Sequence, residues 1–335
     1  MKKILTGTVA VLAALTMFAG CTKKSQTNTS ATTEDKTPVE KDVYTIGVIQ
    51  LVEHPALNAN YEGFVEGLKE AGFIDGKNIK IDYKNAQNDQ SNCVTIADKF
   101  ANDNVDLIFA IATPAAQAVA NRTQTIPIVI SSVTDPKSAN LVNSNELPGV
   151  NVTGTSDLTP CEAQIDLLHR LYPQAKKVAM LFCSSEANSK FQVNLAKAAC
   201  KKYGIKTIDA TVSNTNEVQQ VVQSLVGRVD AIYTPTDNMI ASSMATVALV
   251  TTPNKIPVIC GEDGMVQSGG LCTYGINYFE LGKKTAAMAV EILKDKKNPA
   301  GMPIQYLDAS GCEFTYNKDT AEQLGIEIPS DLLKE

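Results

Sequence analysis

Tyr44-Thr-Ile-Gly-Val-Ile-Gln50 is short, apolar and rich in β-branched residues. Behind it Leu57, Tyr61, Phe64, Val65 and Leu68 recur at helical spacing until Ala71-Gly72. That pattern reads as a strand followed by an amphipathic helix, with glycine as the C-terminal stop. The unit then repeats. Strands are predicted at Ile79–Tyr83, Leu107–Ala112 and Ile128–Ser132, with helices at about 92–103 and 114–123 between them. Strands alternating with helices give a parallel sheet with right-handed crossovers.

A second series begins after Gly154. Its predicted elements are helix 160–172, strand Lys177–Cys183, helix 188–203, strand Ile205–Val212, helix 216–226 and strand Ala231–Thr234. Helix 238–250 and strands Pro257–Cys260 and Leu271–Ile276 follow, and a helix from about 279 to 294 carries Leu281, Thr285, Met288 and Ile292 on one face. A chain of 335 residues can bury two cores. Two series of similar length predict an α/β protein of two doubly wound, parallel-sheet lobes.

Where strands hand over to helices, a polar residue stands before proline: His54-Pro55, Thr113-Pro114, Thr159-Pro160, Asp135-Pro136 and Thr234-Pro235. Proline in the first helical turn gives up no hydrogen bond and presets the turn. Thr159-Pro160-Cys161-Glu162 has the pattern of a capping box. In a parallel sheet the strand ends and the helix starts share one edge, and ligands bind in the crevice there. Free amides at helix starts favour an anion. Hydroxyls of Thr113 and Ser132 add donors at that edge, while Asp237 or Glu262 would meet an ammonium. A zwitterion such as an amino acid satisfies both. The bland alternative is that these residues only cap helices. Tyr61, Tyr233, Tyr274 and Phe182 are candidates to stack on an aromatic ring, or else belong to the core.

Other functions are disfavoured. A net charge of −6 offers no basic surface for nucleic acid. There is no GxSxG, P-loop, GxGxxG or HExxH motif, and only two histidines exist. His54 stands at a strand-to-helix edge and is a candidate ligand contact; His169 lies within an amphipathic helix, solvated or packed. Glu262-Asp263 is an adjacent pair whose side chains point apart. No enzyme, cofactor or metal is expected. Seven cysteines beyond Cys21 are an odd number with no CxxC spacing, and are read as buried thiols, one disulfide remaining open.

The beginning of the chain is not part of the fold. Lys2 and Lys3 precede an apolar run from Ile4 to Phe18, and Phe18-Ala-Gly-Cys21 resembles the bacterial lipobox, with Phe18 where leucine is usual. Residues 1–20 are therefore read as a signal peptide, Cys21 as the lipidated residue, and 21–42 as a polar tether too poor in apolar residues to fold. The expected location is the outer face of the cell membrane.

Stretches across residues 43–325 resemble the ABC transporter substrate-binding family related to aromatic amino-acid-binding lipoproteins. They include His54-Pro-Ala-Leu57, Gly72-Phe-Ile-Asp-Gly-Lys-Asn78, Ala112-Thr-Pro-Ala-Ala-Gln117, Ser132-Val-Thr-Asp-Pro136, Asn151-Val-Thr-Gly154, Tyr233-Thr-Pro-Thr-Asp-Asn238 and Tyr278-Phe-Glu-Leu-Gly282. The resemblance implies the type I periplasmic-binding-protein fold, with three crossings between lobes. One lobe would hold 43–154 and 277–303, the other 155–276 and 304–335. It implies ligand contacts at Thr113, Pro114, Asp135, Ser156, Ser184, Asp237, Asn238 and Glu262, to which His54 is added from its position. It further implies a monomer that captures a small molecule, an aromatic amino acid favoured, by hinge closure and delivers it to an ABC permease and ATPase. A sensory lipoprotein, a sugar or nucleoside binder and an exported enzyme are the alternatives.

Overall fold

The structure, a computed structural model, describes residues 43–307 and 312–333; the predicted leader, Cys21 and tether lie outside the described residues. The strands are β1 (Tyr44–Gln50), β2 (Ile79–Asn85), β3 (Leu107–Ile111), β4 (Ile128–Val133), β5 (Val152–Ser156), β6 (Lys177–Cys183), β7 (Lys206–Val212), β8 (Ala231–Thr234), β9 (Val258–Cys260), β10 (Cys272–Ile276), β11 (Gln305–Tyr306) and β12 (Cys312–Tyr316). The helices are α1 (Pro55–Glu70), α2 (Gln90–Asn102), α3 (Thr113–Ala120), α4 (Cys161–Leu171), α5 (Ala187–Lys202), α6 (Val218–Gln223), α7 (Asn238–Ser242), α8 (Met244–Thr251), α9 (Asp263–Gln267), α10 (Tyr278–Leu293) and α11 (Lys318–Leu324).

They build two six-stranded sheets, ordered β11-β5-β4-β3-β1-β2 and β12-β10-β9-β8-β6-β7. All pairings run parallel except β10 with β12, where Cys272 opposes Tyr316 and Ile276 opposes Cys312. Helices cover both faces, so central strands are buried on both sides and read as continuous apolar runs. β3, Leu-Ile-Phe-Ala-Ile, is buried at every residue, whereas the edge strand β7 alternates.

Each sheet has its own core. In the first, Phe64 of α1 stacks on Phe109 of β3 with ring centroids 3.9 Å apart, and truncating such a side chain to alanine costs about 3–5 kcal/mol. α10 belongs to this half although it follows β10 of the other. It lies so close to α1 that a Cβ on Gly63 would stand 1.9 Å from Phe279 O, and one on Gly282 2.1 Å from Asn60 O. The chain therefore passes between the sheets three times: after β5, after β10 and after β11.

Four expectations need correction. β5 is an unpredicted strand, because Val-Thr-Gly-Thr-Ser carries polar residues that the interior satisfies: Thr153 Oγ1 donates to Met302 O (2.7 Å), and Thr155 Oγ1 meets Ser131 Oγ (2.9 Å) and Thr285 Oγ1 (2.7 Å). Thr155, Ser156 and Gln305–Tyr306 lie in the first sheet, paired with one another, so the chain leaves that sheet beyond 154 and beyond 304. The helix predicted over 238–250 breaks at Ser243 into α7 and α8. The capping box does not form: Pro160 is the N-cap of α4, the Thr159 hydroxyl is buried without a partner, and Glu162 pairs with Lys202. The seven described cysteines are free thiols, six of them buried and Cys312 half-buried.

Candidate functional site

In both sheets the first strand of the series lies between the second and the third: β1 between β2 and β3, β6 between β7 and β8. The helices after the inner two strands leave to opposite faces, and a crevice opens at their carboxyl ends. In the first half this point holds His54 and Thr113, which begin the turns into α1 and α3. In the second it holds Glu186, Asp237 and Asn238, before α5 and α7.

The two crevices face each other and touch. His54 Nε2 lies 3.5 Å from Asn238 Oδ1, Thr134 Oγ1 lies 3.3 Å from Thr236 Oγ1, and Gln192 Nε2 donates to Thr134 Oγ1 at 2.9 Å. Between them is a small cavity of about 10 Å³, room for about one water as the halves now stand, with Leu57, Ala241 and Met265 as apolar wall and His54, Asp157, Asp237, Asn238, Glu262 and Tyr278 as polar wall. Among the described residues the lining holds three carboxyl groups and neither lysine nor arginine. That charge balance suits a cation.

The carboxyls are not equivalent. Asp237 caps α7 through Ile240 N–H (2.9 Å) and also accepts from Cys183 N–H and Ser189 Oγ, both at 2.6 Å. Glu262 caps α9 through Gly264 N–H (2.6 Å) and Met265 N–H (2.9 Å). Asp157 accepts from Tyr278 Oη at 2.9 Å on Oδ2, while its Oδ1 is buried with no partner. Burial pushes Asp157 up to about 6, and burial with the nearby charge of Asp263 pushes Glu262 up to about 8. Behind the wall, burial and the charge of Asp237 raise Glu186. Burial lowers His54 to about 4, so its imidazole is neutral at pH 7.

Anion-binding features lie on the first half. α1 and α3 begin without a side-chain cap, each with proline in its first turn. Ala112 (φ 82°) and Ser132 (φ 55°) are non-glycine residues in the left-handed region, at the carboxyl ends of β3 and β4. Strain of this kind is held at functional sites. Thr113 Oγ1 and Ser132 Oγ beside them are buried without a partner. This edge therefore offers bare amides and hydroxyls, and the opposite wall offers carboxyls.

The residues expected from sequence divide accordingly. His54, Asp237, Asn238 and Glu262 line the cavity. Thr113 and Pro114 form the first turn of α3 at the same sheet edge. Ser156 is buried, but its hydroxyl is spent on Thr134 O at 2.6 Å, beside the first crossing. Asp135 instead caps a turn, accepting from Ser138 N–H (2.6 Å) and Asn145 Nδ2 (3.0 Å), and Ser184 is exposed. None of the four candidate stacking residues lines the cavity: Tyr233 is buried with its hydroxyl on Gln164, Tyr61 packs on Tyr83, Tyr274 packs on Phe314 and Phe182 belongs to the core. Asp157, Glu186 and Tyr278 were missed. The available signals were a carboxylate one residue beyond Ser156, another two beyond Ser184, and the tyrosine that opens Tyr278-Phe-Glu-Leu-Gly282.

Comparison with known proteins agrees with this geometry. A family model described as ABC transporter substrate binding protein matches residues 45–335. A tyrosine-binding protein of Clostridioides difficile (strain R20291) is 43% identical over 334 residues, covering 99% of this chain and 95% of its own. The structure of an ABC domain in complex with L-Trp from Streptococcus pneumoniae is 39% identical, covers 87% of this chain and 97% of its own, and superposes with a TM-score of 0.83. A ligand-free, open substrate binding protein with adhesive properties from Clostridium difficile is 47% identical and covers 86% and 97%, yet its TM-score is only 0.66. The nearer sequence superposes less well, which points to the arrangement of the two halves. Direct bonds across the cleft mark the present arrangement as closed.

Proposed function

The chain belongs to the family of ABC transporter substrate binding proteins, and from that premise we propose that it captures an aromatic amino acid, tyrosine first, for import. Members of this family bind solutes outside the cytoplasm and are not enzymes. The fold, two doubly wound sheets joined by three crossings, is that of type I periplasmic binding proteins.

One observation carries the ligand reading: a small cavity between the two halves walled by three carboxyls and an apolar side, with uncapped helix tips on the facing edge. The ammonium goes to Asp157 Oδ1, the buried acceptor with no partner of its own. The carboxylate goes to the first turn of α3 and the Thr113 hydroxyl. The ring lies against Leu57, Ala241 and Met265. A tyrosine-binding relative and a relative holding L-Trp support this class of ligand. Each half supplies contacts, so ligand and closure stabilise each other. The closed form then docks on a permease driven by its ATPase. The lipobox-like Phe18-Ala-Gly-Cys21 supports tethering by lipid at Cys21.

Purified protein should rise in melting temperature with tyrosine and tryptophan, as linkage requires. A screen in which only a sugar or nucleoside responds would overturn the ligand class.

A further inference from the structure

The amide of Asn238 has a fixed orientation. Its Nδ2 donates to Glu186 Oε2 at 2.6 Å, and that oxygen also accepts from Asn238 N–H at 3.2 Å and Asn188 Nδ2 at 3.0 Å. Glu186 Oε1 accepts from Met239 N–H at 3.1 Å. Turning the amide over would set its carbonyl against an oxygen already ringed by donors. Asn238 Oδ1 therefore faces His54 Nε2, at 3.5 Å.

An acceptor at that position places the imidazole proton on Nε2. Burial holds His54 neutral at pH 7, with a pKa of about 4, so there is one proton and it is spent. Nδ1 is then a bare lone pair, and it is buried without a partner. His54 lines the cavity, and it is 7% exposed. A buried acceptor left without a donor is unfavourable, so the ligand that fills the cavity is required to supply a donor there.

Two unpartnered acceptors belong to lining residues, His54 Nδ1 and Asp157 Oδ1. Charge sorts them. A carboxylate is the better partner for an ammonium, and a neutral imidazole for a neutral donor. We infer that His54 is a specificity-determining residue that accepts a hydrogen bond from the ring donor of the ligand, so that the site selects tyrosine or tryptophan over phenylalanine. This rests on the proposed capture of aromatic amino acids. The phenol O–H and the indole N–H each supply one donor; a phenyl ring supplies none.

The test is calorimetric titration of tyrosine, tryptophan and phenylalanine into the wild-type protein, His54→Leu and His54→Gln. Wild type is expected to bind phenylalanine on the order of 10- to 100-fold more weakly than tyrosine. His54→Leu should bring the two within about threefold of each other, while His54→Gln, which keeps an acceptor, should restore part of the preference. Asp157→Asn should weaken both ligands alike. Phenylalanine binding as tightly as tyrosine in the wild type, or an unchanged ratio in His54→Leu, overturns the role of His54 and leaves aromatic capture standing. No binding of any of the three overturns both. Should His54→Leu fail to fold, the wild-type ratio and His54→Gln decide.

Discussion

Tyr278 Oη donates to Asp157 Oδ2 at 2.9 Å, joining the first residue of α10 to the segment that leaves β5. These are two of the three crossings between the sheets, and both residues line the cavity. A cation that meets the free oxygen of Asp157 thus touches a group bonded to the next crossing. Under the proposed placement of the ammonium, ligand binding and hinge position would share one carboxylate, with no intervening chain of residues.

Asp157→Asn follows from this placement. The amide keeps the size and a partner for Tyr278 but loses the charge that would hold an ammonium. Affinity for tyrosine should fall about 10- to 100-fold, as for a charge-assisted bond lost in a buried site. Ligand-free stability should hold or rise, because a carboxyl pushed up to about 6 by burial is itself unfavourable at pH 7. Calorimetry and a thermal melt check the two halves separately. Unchanged affinity would remove Asp157 from the site.

Asp237→Ala should act mainly on stability, through the helix-capping role that the sequence offered beside ligand contact. The carboxylate caps α7, holds the last amide of β6 and accepts from Ser189 on α5. Losing the cap and stranding two buried donors costs about 2–4 kcal/mol. Urea unfolding should show a lower midpoint with the slope unchanged. A midpoint equal to wild type would sink this assignment.

The choice between those two readings shows where sequence stops. The period of apolar residues located nine of the twelve described strands, and every described helix except α9 and α11, because periodicity is what burial on one or two faces imposes. Proline after a polar residue located His54 and Thr113, because the start of a helix has its own chemistry. The roles of the carboxyls were not legible. Asp237 and Glu262 look alike beside their strands and are spent largely on the amides of their own helix starts, whereas Asp157 looks like loop and gains its partner, Tyr278, only by packing between segments 121 residues apart. β5 escaped for the same reason, since its threonines are satisfied by Met302, Ser131 and Thr285, far away in the chain.

The raised carboxyls give stability a pH dependence with a definite sign. Glu262 titrates near 8 in the fold against 4.5 ordinarily, so the folded form holds its proton more tightly, and stability is lost as pH rises toward 8. Asp157 acts the same way below about 6, where His54, lowered to about 4, works oppositely. Above pH 6.5 Asp157 and His54 have largely finished titrating, and Glu262 acts unopposed by the histidine. Ligand-free stability should therefore fall between pH 6.5 and 8, by up to about 1.4 kcal/mol per pH unit for each group titrating, and the melting temperature with it. Saturating tyrosine should flatten the fall, since an ammonium favours the ionised carboxyls. A ligand-free melt that is flat or climbs across that range would refute the linkage.

Gly264→Ala should separate folding from closure. Gly264 lies in the first turn of α9, where a Cβ would stand 3.0 Å from Pro55 Cβ and 3.2 Å from Ala56 N in the first turn of α1, across the cleft. Within its own half the nearest atom is Glu262 Oε2, at 2.9 Å, the end of a side chain. The helix itself prefers alanine by up to about 1 kcal/mol. The contact with α1 exists only when the halves are together, so the substitution penalises the closed form alone. The variant should melt within a few degrees of wild type, bind tyrosine at least about tenfold more weakly, and show less ligand-induced compaction by small-angle scattering. Wild-type affinity together with full compaction would mean that α1 and α9 have room to spare, and that the seal of the cleft lies with His54 and Asn238 instead.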